Sequence, residues 1–240
     1  MYDPVAEIYE RGRTGWPAAV TEGIGGETVL DLAAGTGKLT RVLAERFPHV
    51  IAVEPLAAMQ EVGARIVPGA EWLDGTAEAL PLPDASVDAA FVADAFHWFD
   101  AAAAARELAR VIRPGGTLVI VFAVFDGGFE PDLSEEAVDA VRTVSRRTGR
   151  TGAPKVESGE WRAGFGGAPF GELEERKLPF EHVTDREGVI SYYLSMSTVA
   201  ARPQSERDDL AATLRELLPD TEHRVRVRAL SYRAARLASP

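Results

Sequence analysis

Short apolar runs alternate with helical patterns through the first half of the chain. Five runs have the length of a buried strand: Thr28–Leu32, Val50–Val53, Glu71–Leu73, Val87–Ala93 and Thr117–Phe122. Between them, apolar residues recur at helical spacing and predict helices over Lys38–Phe47, Ala57–Val67 and Ala101–Ile112. The breaker Pro114-Gly115-Gly116 stops the last helix. Strands that alternate with helices in this way predict an α/β fold with a parallel, doubly wound sheet.

The pattern changes after Phe122. Further helices are predicted over Ser134–Arg147, Asp185–Ser195 and Ser205–Leu218, with strands over Glu172–Pro179 and His223–Tyr232 and a loop rich in Gly and Pro over Thr148–Gly171. We therefore predict one structural domain in three parts. Residues 1–124 form the core with an N-terminal segment, 125–171 a lid or substrate-binding insertion, and 172–240 the end of the sheet plus cap helices.

Composition narrows the classes of protein. The 240 residues include no cysteine, which excludes disulfides, thiolate metal ligands and cysteine nucleophiles. No apolar run reaches the ~18 residues of a membrane span and the N-terminus has no leader pattern, so we expect a cytoplasmic protein. High usage of Ala, Arg and Gly fits a GC-rich bacterial genome.

The charge balance bears on partners. Acidic residues outnumber basic ones 37 to 26, a net charge of −11, which argues against nucleic-acid or anionic-membrane partners. One candidate basic patch is Arg226, Arg228, Arg233 and Arg236, but its spacing is more typical of the solvated side of a strand. We expect no nucleic acid, no membrane and no metal, and a monomer or homodimer.

The segment Val29–Thr40, Val-Leu-Asp-Leu-Ala-Ala-Gly-Thr-Gly-Lys-Leu-Thr, places small residues between the first strand and the first helix. Small residues let the backbone approach a ligand closely, although a tight strand-to-helix turn is common in any doubly wound sheet. A phosphate-binding P-loop would need Gly where Leu32 stands, and no frame supplies the dinucleotide pattern G-x-G-x-x-G.

Three more segments follow predicted strands. Glu54 ends the second strand, where an acidic side chain can accept both hydroxyls of a ribose. Asp74–Pro81 follows the third strand and Asp94–Asp100 the fourth. All of them converge on the carboxyl ends of neighbouring strands, where open α/β sheets bind ligands.

Together these segments resemble the class I S-adenosylmethionine-dependent methyltransferases, in the small-molecule branch of methyltransferase type 11 and trans-aconitate methyltransferase-like enzymes. The matching segments are Tyr9–Pro17, Gly75–Asp88, Ala95–Asp100 and Arg110–Leu118, in register with the turn after the first strand. The resemblance covers the chain to about Phe122. It implies a Rossmann-like seven-stranded sheet, mostly parallel with an antiparallel last strand, and a helical lid built from roughly Phe125–Gly171 and Asp185–Leu218.

The resemblance also implies a cofactor, S-adenosyl-L-methionine with S-adenosyl-L-homocysteine as product, and a small-molecule acceptor. Asp31, Ala33, Gly35 and Gly37 would line the methionine end, with Asp31 near the ammonium group. Glu54 would bind the ribose hydroxyls, beside Pro55, and Met59 would pack on the adenine. The remaining cofactor-binding positions are Thr76, Ala77 and Glu78 at the adenine ring, Asp94, Ala95 and Phe96 under the sulfonium, and Tyr9 and Arg13 over the carboxylate.

Two positions depart from the family pattern. Ala33 stands where the turn usually has its first glycine, and an alanine is tolerated there if its φ is negative. Thr76 stands where an acid is often found beside the adenine.

His97 is the candidate catalytic residue, as a proton acceptor for an oxygen nucleophile, or else a wall of the cofactor pocket together with Trp98. Methyl transfer from a sulfonium is a direct displacement, so alignment of the reactants supplies much of the rate and no base is required. Trp161, Phe165, Tyr192 and Tyr193 either line an acceptor pocket or pack the cap. A catalytically silent cofactor-binding relative and a nicotinamide-dependent oxidoreductase are the alternatives, and no motif names the acceptor.

Overall fold

The computed structural model describes residues 4–125, 133–145 and 156–238. Within them, the chain forms seven strands: β1 Thr28–Leu32, β2 His49–Val53, β3 Glu71–Leu73, β4 Val87–Ala93, β5 Ile112–Phe125, β6 Glu174–Thr184 and β7 His223–Ala235. Eight α-helices accompany them: α1 Pro4–Gly12, α2 Lys38–Ala44, α3 Ala57–Ile66, α4 Ala101–Val111, α5 Glu135–Ser145, α6 Arg186–Leu194, α7 Ser197–Ala200 and α8 Gln204–Leu217.

The strands form one sheet in the order β3-β2-β1-β4-β5-β7-β6, with six parallel strands and an antiparallel last strand. This confirms the predicted Rossmann-like fold. The order runs outward from β1 to β3 on one side and from β4 to β5 on the other, so the winding reverses between β1 and β4. Open α/β sheets bind their ligands at such a reversal, beyond the carboxyl ends of the strands.

Apolar side chains explain why β1, β4 and β5 hold the centre of the sheet. Leu30, Phe91 and Ile120 are fully buried, as are both faces of β5 from Leu118 to Phe122. A strand covered on both faces needs a continuous run of apolar residues and not an alternation of apolar and polar ones. These three segments are such runs in the sequence. Burial of this centre fixes where the carboxyl ends of β1 and β4 lie.

Several predicted boundaries shift. β5 begins at Ile112, directly after α4, and not at Thr117, because the breaker Pro114-Gly115-Gly116 lies inside the strand as a register shift. Opposite it, Val87 pairs with Ile112 and Ala89 pairs with Thr117. The predicted loop over Thr148–Gly171 contains 3₁₀ helices at Val156–Ser158 and Glu160–Phe165. Residues 146–155, which include the end of the predicted helix and the start of that loop, lie outside the described residues, as do residues 126–132 of the predicted lid.

The described residues fall into two compact units. The sheet unit comprises residues 16–124, 156–178 and 228–238, and the helical unit comprises residues 4–15, 125, 133–145 and 179–227. The predicted three-part organisation stays a prediction. The two units divide the chain differently, since 156–171 belongs to the sheet unit and the N-terminal helix to the helical unit.

Close packing of α1 against α6 defines the helical unit. Gly12 makes this approach possible, because a Cβ there would lie 2.2 Å from the backbone nitrogen of Tyr192. Arg11 forms an ion pair with Asp185 across 2.9 Å, and Asp185 caps α6 by accepting a hydrogen bond from the Gly188 N–H. Among the described helices, none combines the length and the apolar character needed to cross a membrane.

Candidate cofactor site

The turn between β1 and α2 has an unusual backbone. Ala33, Gly35 and Gly37 all take positive φ angles, of +56°, +57° and +83°. Glycine adopts this region freely, but alanine carries a penalty of about 1–2 kcal/mol. The condition set for Ala33, a negative φ, is therefore not met. The strain is retained because the surrounding chain holds the turn: Ala34 N–H donates to Val53 O across 3.1 Å.

Glu54 ties this turn to the end of β2. Its Oε2 accepts from the Gly35 N–H across 2.8 Å and its Oε1 accepts from the Leu56 N–H across 2.9 Å. The side chain is buried, and that burial raises the pKa of Glu54 although both hydrogen bonds lower it. Each carboxylate oxygen has a second lone pair, so the group retains capacity to accept from a ligand hydroxyl.

Asp31 lies below the same turn, on β1. Only 1% of the residue is exposed, and its Oδ2 accepts from the Thr40 hydroxyl across 2.6 Å. Its Oδ1 is buried and, among the described residues, has no hydrogen-bond partner. Burial, with a smaller contribution from the charge of Glu54, raises the pKa of Asp31 from 3.8 to about 7. The two acids nearest the turn therefore influence each other's protonation.

The segment after β3 brings a backbone edge to the same end of the sheet. Ala77 is buried whereas Thr76 and Glu78 are exposed, and Thr76 and Ala79 form an isolated bridge. Glu78 accepts a hydrogen bond from the Asp100 N–H across 3.0 Å. Glu78 therefore joins the loop after β3 to the loop after β4, a structural contact that the sequence did not indicate.

The segment after β4 begins with a second strained residue. Asp94 has a φ of +50°, its N–H donates to Val121 O, and its Oδ1 accepts from the Ala123 N–H across 2.8 Å. Ala95 and Phe96 behind it are buried. Non-glycine residues in this conformation cluster at functional sites, and Ala33 and Asp94 stand at the ends of neighbouring strands on the two sides of the winding reversal.

His97 and Trp98 follow in a 3₁₀ helix at Phe96–Trp98. The rings of His97 and Trp98 are 5.0 Å apart, and Trp98 is 60% exposed. His97 is half-buried beside Phe122, its Nδ1 has no partner among the described residues, and burial lowers its pKa below 6.5. Its imidazole is therefore neutral at pH 7, the state that a proton acceptor or a pocket wall both require.

Pro55 and Met59 complete the positions near the end of β2. Pro55 is exposed directly after Glu54, and Met59 is half-buried in the first turn of α3. Both lie beyond the carboxyl end of the strand. Their contact with a ligand stays a prediction.

Tyr9 and Arg13 belong to the helical unit. The Arg13 guanidinium lies over the rings of Tyr9 and Tyr192, at 5.3 and 5.4 Å from their centroids. It also donates to the hydroxyl of Ser195 across 2.9 Å and to its carbonyl across 3.1 Å. The two residues predicted to cover a carboxylate are thus brought together in one cluster, and their position over the cofactor stays a prediction.

The sequence carries no signal for a set of hydrogen bonds, here called the Arg110 brace, that joins two of the segments resembling the family, Gly75–Asp88 and Arg110–Leu118. Arg110 on α4 donates to the carbonyls of Leu80 and Leu82 and to the carboxylates of Asp84 and Glu107. The three bonds to Leu80, Leu82 and Asp84 hold the loop between β3 and β4 against the helix, and Glu107 on the same helix orients the guanidinium. The resemblance of Gly75–Asp88 and Arg110–Leu118 to a family is therefore carried in part by residues that support the site and do not line it.

Trp161 and Phe165 are packing residues. Trp161 is 3% exposed, and its ring lies 5.7 Å from Phe96, 5.4 Å from Phe122 and 5.1 Å from Tyr232. Phe165 stacks on Phe96 at 5.2 Å. Both therefore pack in the core of the sheet unit and not in the cap, and their part in an acceptor pocket stays a prediction. Among the residues that the structure describes, no group of His, Asp and Glu side chains is placed to hold a metal ion.

The seven-stranded sheet with its antiparallel last strand matches a class of protein, the Rossmann-like methyltransferases. Comparison with known families agrees: residues 30–120 match the model of a methyltransferase domain. The chain belongs to the class I S-adenosylmethionine-dependent methyltransferase family.

Individual relatives extend the match over most of the chain. An uncharacterized methyltransferase of Mycobacterium tuberculosis is 36% identical over 216 residues, which cover 88% of this chain and 82% of that protein. A solved structure from Anaeromyxobacter dehalogenans, provisionally assigned as a type II methyltransferase, is 30% identical with a TM-score of 0.67 and covers 95% of this chain and 99% of its own. A geranyl diphosphate methyltransferase solved with S-adenosylmethionine has a TM-score of 0.50, at 15% identity and over 97% and 85% of the two chains, a likeness of fold alone.

Proposed function

We propose that the protein transfers the methyl group of S-adenosyl-L-methionine to a small-molecule acceptor by direct displacement at the carboxyl edge of the sheet. The observation that carries this proposal is the junction of Glu54 with the left-handed turn Ala33–Gly37 at the winding reversal. A nucleoside with an amino-acid tail needs a carboxylate for its ribose and a close backbone approach for its tail, and both are present in one place.

The residues present fit this cofactor. Glu54 retains lone pairs for the two ribose hydroxyls, and the buried Ala77 would offer a backbone edge to the adenine. The unpartnered Oδ1 of Asp31 places unsatisfied negative character under the turn, where an ammonium group would compensate it. Bound there, the cofactor supplies an electrophilic methyl group on a sulfonium.

The protein's own contribution is mainly alignment. The turn and Glu54 fix the nucleoside, and Asp94, Ala95 and Phe96 form a rigid floor because the Asp94 carboxylate is tied to the Ala123 N–H. Reacting groups held at near-contact distance give a large rate increase without proton transfer. His97, which is neutral at pH 7 and lies after β4 at the same edge, would take a proton from an acceptor hydroxyl.

Binding of the cofactor is tested by isothermal titration with S-adenosylmethionine and with S-adenosylhomocysteine. We expect saturable heat with both and a thermal shift to higher Tm. No heat and no shift with either ligand would overturn the proposal, and an optical change with NAD(P)H would favour the oxidoreductase alternative instead.

Turnover is tested separately by following S-adenosylhomocysteine production across a panel of carboxylates, phenols, amines and sugars. Production that depends on one class of acceptor supports the small-molecule proposal. Tight cofactor binding with no turnover on any acceptor would support a catalytically silent relative.

A further inference from the structure

A cavity of about 500 Å³ lies within the helical unit, between α1, α6 and α8. Its residues on α6 and on α8 recur every three or four positions, so each helix turns one face toward it. Part of the lining is apolar and is formed by Ile8, Ile190, Leu194 and Ala211, of which the last three are buried. Pockets for small molecules have volumes of roughly 300–1,000 Å³, so this cavity has room for a ligand. It shares no residue with the candidate cofactor site.

The rest of the lining is polar, and most of its charge is compensated within the cavity wall. Arg215 on α8 donates to both carboxylate oxygens of Glu187 on α6, across 2.8 and 2.9 Å. The Asp208 carboxylate accepts from the side-chain amide of Gln204 across 2.7 Å, and Asp208 is exposed to water. Because water screens an exposed charge, Asp208 contributes little to the electric field inside the cavity.

Arg207 is a cation of the cavity wall without an acidic partner. Among the described residues it forms no ion pair, and its Nη2 donates to the side-chain oxygen of Gln204. Its Nε is buried and has no hydrogen-bond partner among them. A buried N–H of a charged group is costly to leave without an acceptor, so this donor is suited to a negatively charged group of a ligand. Arg207 lies one helical turn before Ala211, which places the cation beside the apolar part of the lining.

We propose that this cavity binds a small organic monoanion, a carboxylate on a short aliphatic body, with its charge on Arg207 and its body against Ile190, Leu194 and Ala211. A guanidinium suits a carboxylate because its N–H groups match the two oxygens. One uncompensated cation balances one negative charge, which favours a monocarboxylate over a dicarboxylate or a phosphate dianion. The apolar part of the lining favours an aliphatic body, which is stabilised by leaving water. This site is additional to the proposed methyl transfer, and its test requires no cofactor.

The test is an NMR titration of the full chain, labelled with ¹⁵N, with hexanoate at neutral pH. We expect saturable shifts of the amide signals of α6 and α8, those of Leu194 and Ala211 among them, with a Kd on the order of 1 mM for a ligand of so few atoms. Acetate lacks the aliphatic body and hexanamide lacks the charge, so each should bind at least about 5-fold more weakly. Equal affinity of hexanoate for either of these comparison ligands would overturn the inference, as would shifts confined to residues outside α1, α6 and α8.

Three variants separate Arg207 from the general charge of the unit. Arg207→Gln removes the cation and should weaken hexanoate binding about 5-fold or more, whereas Arg207→Lys keeps the charge and should stay within about 3-fold of the wild type. Arg226→Gln removes an exposed cation of the same unit, on β7, and should leave the Kd unchanged. Arg207 is half-buried and forms no ion pair among the described residues, so its variants should unfold at the wild-type Tm. An unchanged Kd in Arg207→Gln, or an equal loss in Arg226→Gln, would overturn the inference.

Discussion

The carboxylate of Glu54 accepts a hydrogen bond from the backbone N–H of Gly35 across 2.8 Å, and this contact joins the end of β2 to the turn after β1. The two residues are 19 positions apart in the chain, so only the parallel pairing of β1 with β2 brings them together. The same carboxylate holds the turn and keeps lone pairs that can accept further hydrogen bonds.

Replacement of Glu54 should separate these two roles. Glu54→Ala should weaken cofactor binding by about 1–3 kcal/mol and also lower the stability of the free protein, because two backbone N–H groups lose their acceptor. Titration calorimetry measures the first effect and thermal unfolding the second. An unchanged affinity would remove the ribose-binding role from Glu54.

Replacement of Ala33 by Gly should raise stability. The φ of +56° costs an alanine about 1 kcal/mol or more, and glycine removes that cost at the expense of some entropy in the unfolded chain, so we expect a net gain of up to about 1 kcal/mol. Ala34→Gly is the matched control, since Ala34 is buried in the same turn and does not have a positive φ. Ala34→Gly should lower the Tm. A similar decrease for Ala33→Gly would mean that Ala33 does not have a positive φ.

The stability of the free protein should depend on pH because of the titration of Asp31. Its pKa is raised from 3.8 to about 7, so the folded chain holds a proton that the unfolded chain releases above about pH 4. The contribution of Asp31 to the free energy of unfolding therefore falls from about pH 4 to about pH 7 and then stays constant. Asp31→Asn should remove this slope and be the more stable protein at pH 8, as measured by Tm between pH 5 and 8. Parallel curves for wild type and variant would show that Asp31 titrates normally.

Arg110 should matter for stability although it lies outside the predicted site. Arg110→Ala removes hydrogen bonds to two carbonyls and two carboxylates and should cost about 1–3 kcal/mol in chemical denaturation. Arg106→Ala, at an exposed position on the same helix, is the control and should change stability by less than about 0.5 kcal/mol. Equal losses for the two variants would mean that the brace contributes nothing specific.

His97 is tested by kinetics once an acceptor is known. If His97 accepts a proton, the rate of the wild type should rise with pH below 6.5, where the imidazole loses its own proton. His97→Gln should then lower kcat by about 10²-fold or more and abolish that rise. If it is a pocket wall, the main effect should fall on the Kd of the cofactor with the pH profile unchanged. A pH–rate profile of both proteins distinguishes the two roles.

Much of the fold was predictable from the sequence, for a physical reason. Central strands such as β4 and β5 are buried on both faces and so must be apolar throughout, and α4 carries its own N-cap at Asp100, which accepts from the Ala102 and Ala103 N–H groups. These are local signals. The positions after β1, β2, β3 and β4 were also predictable as a group, because parallel strands place their carboxyl ends at one edge.

Other features were decided by long-range packing and have no local signature. The left-handed conformation of Ala33, the raised pKa of Asp31 and the contact of Glu78 with Asp100 arise from residues far apart in the chain. Likewise, Pro114-Gly115-Gly116 predicts from the sequence only that a helix ends there. In the fold, the pairing of β4 with β5 makes these residues a register shift inside β5. The sequence alone determined the central strands and the sheet edge that carries the candidate site, because burial and periodicity are local properties of the chain. Only the tertiary structure decided the backbone strain, the burial and the protonation of those residues, since each depends on neighbours that the fold brings from elsewhere.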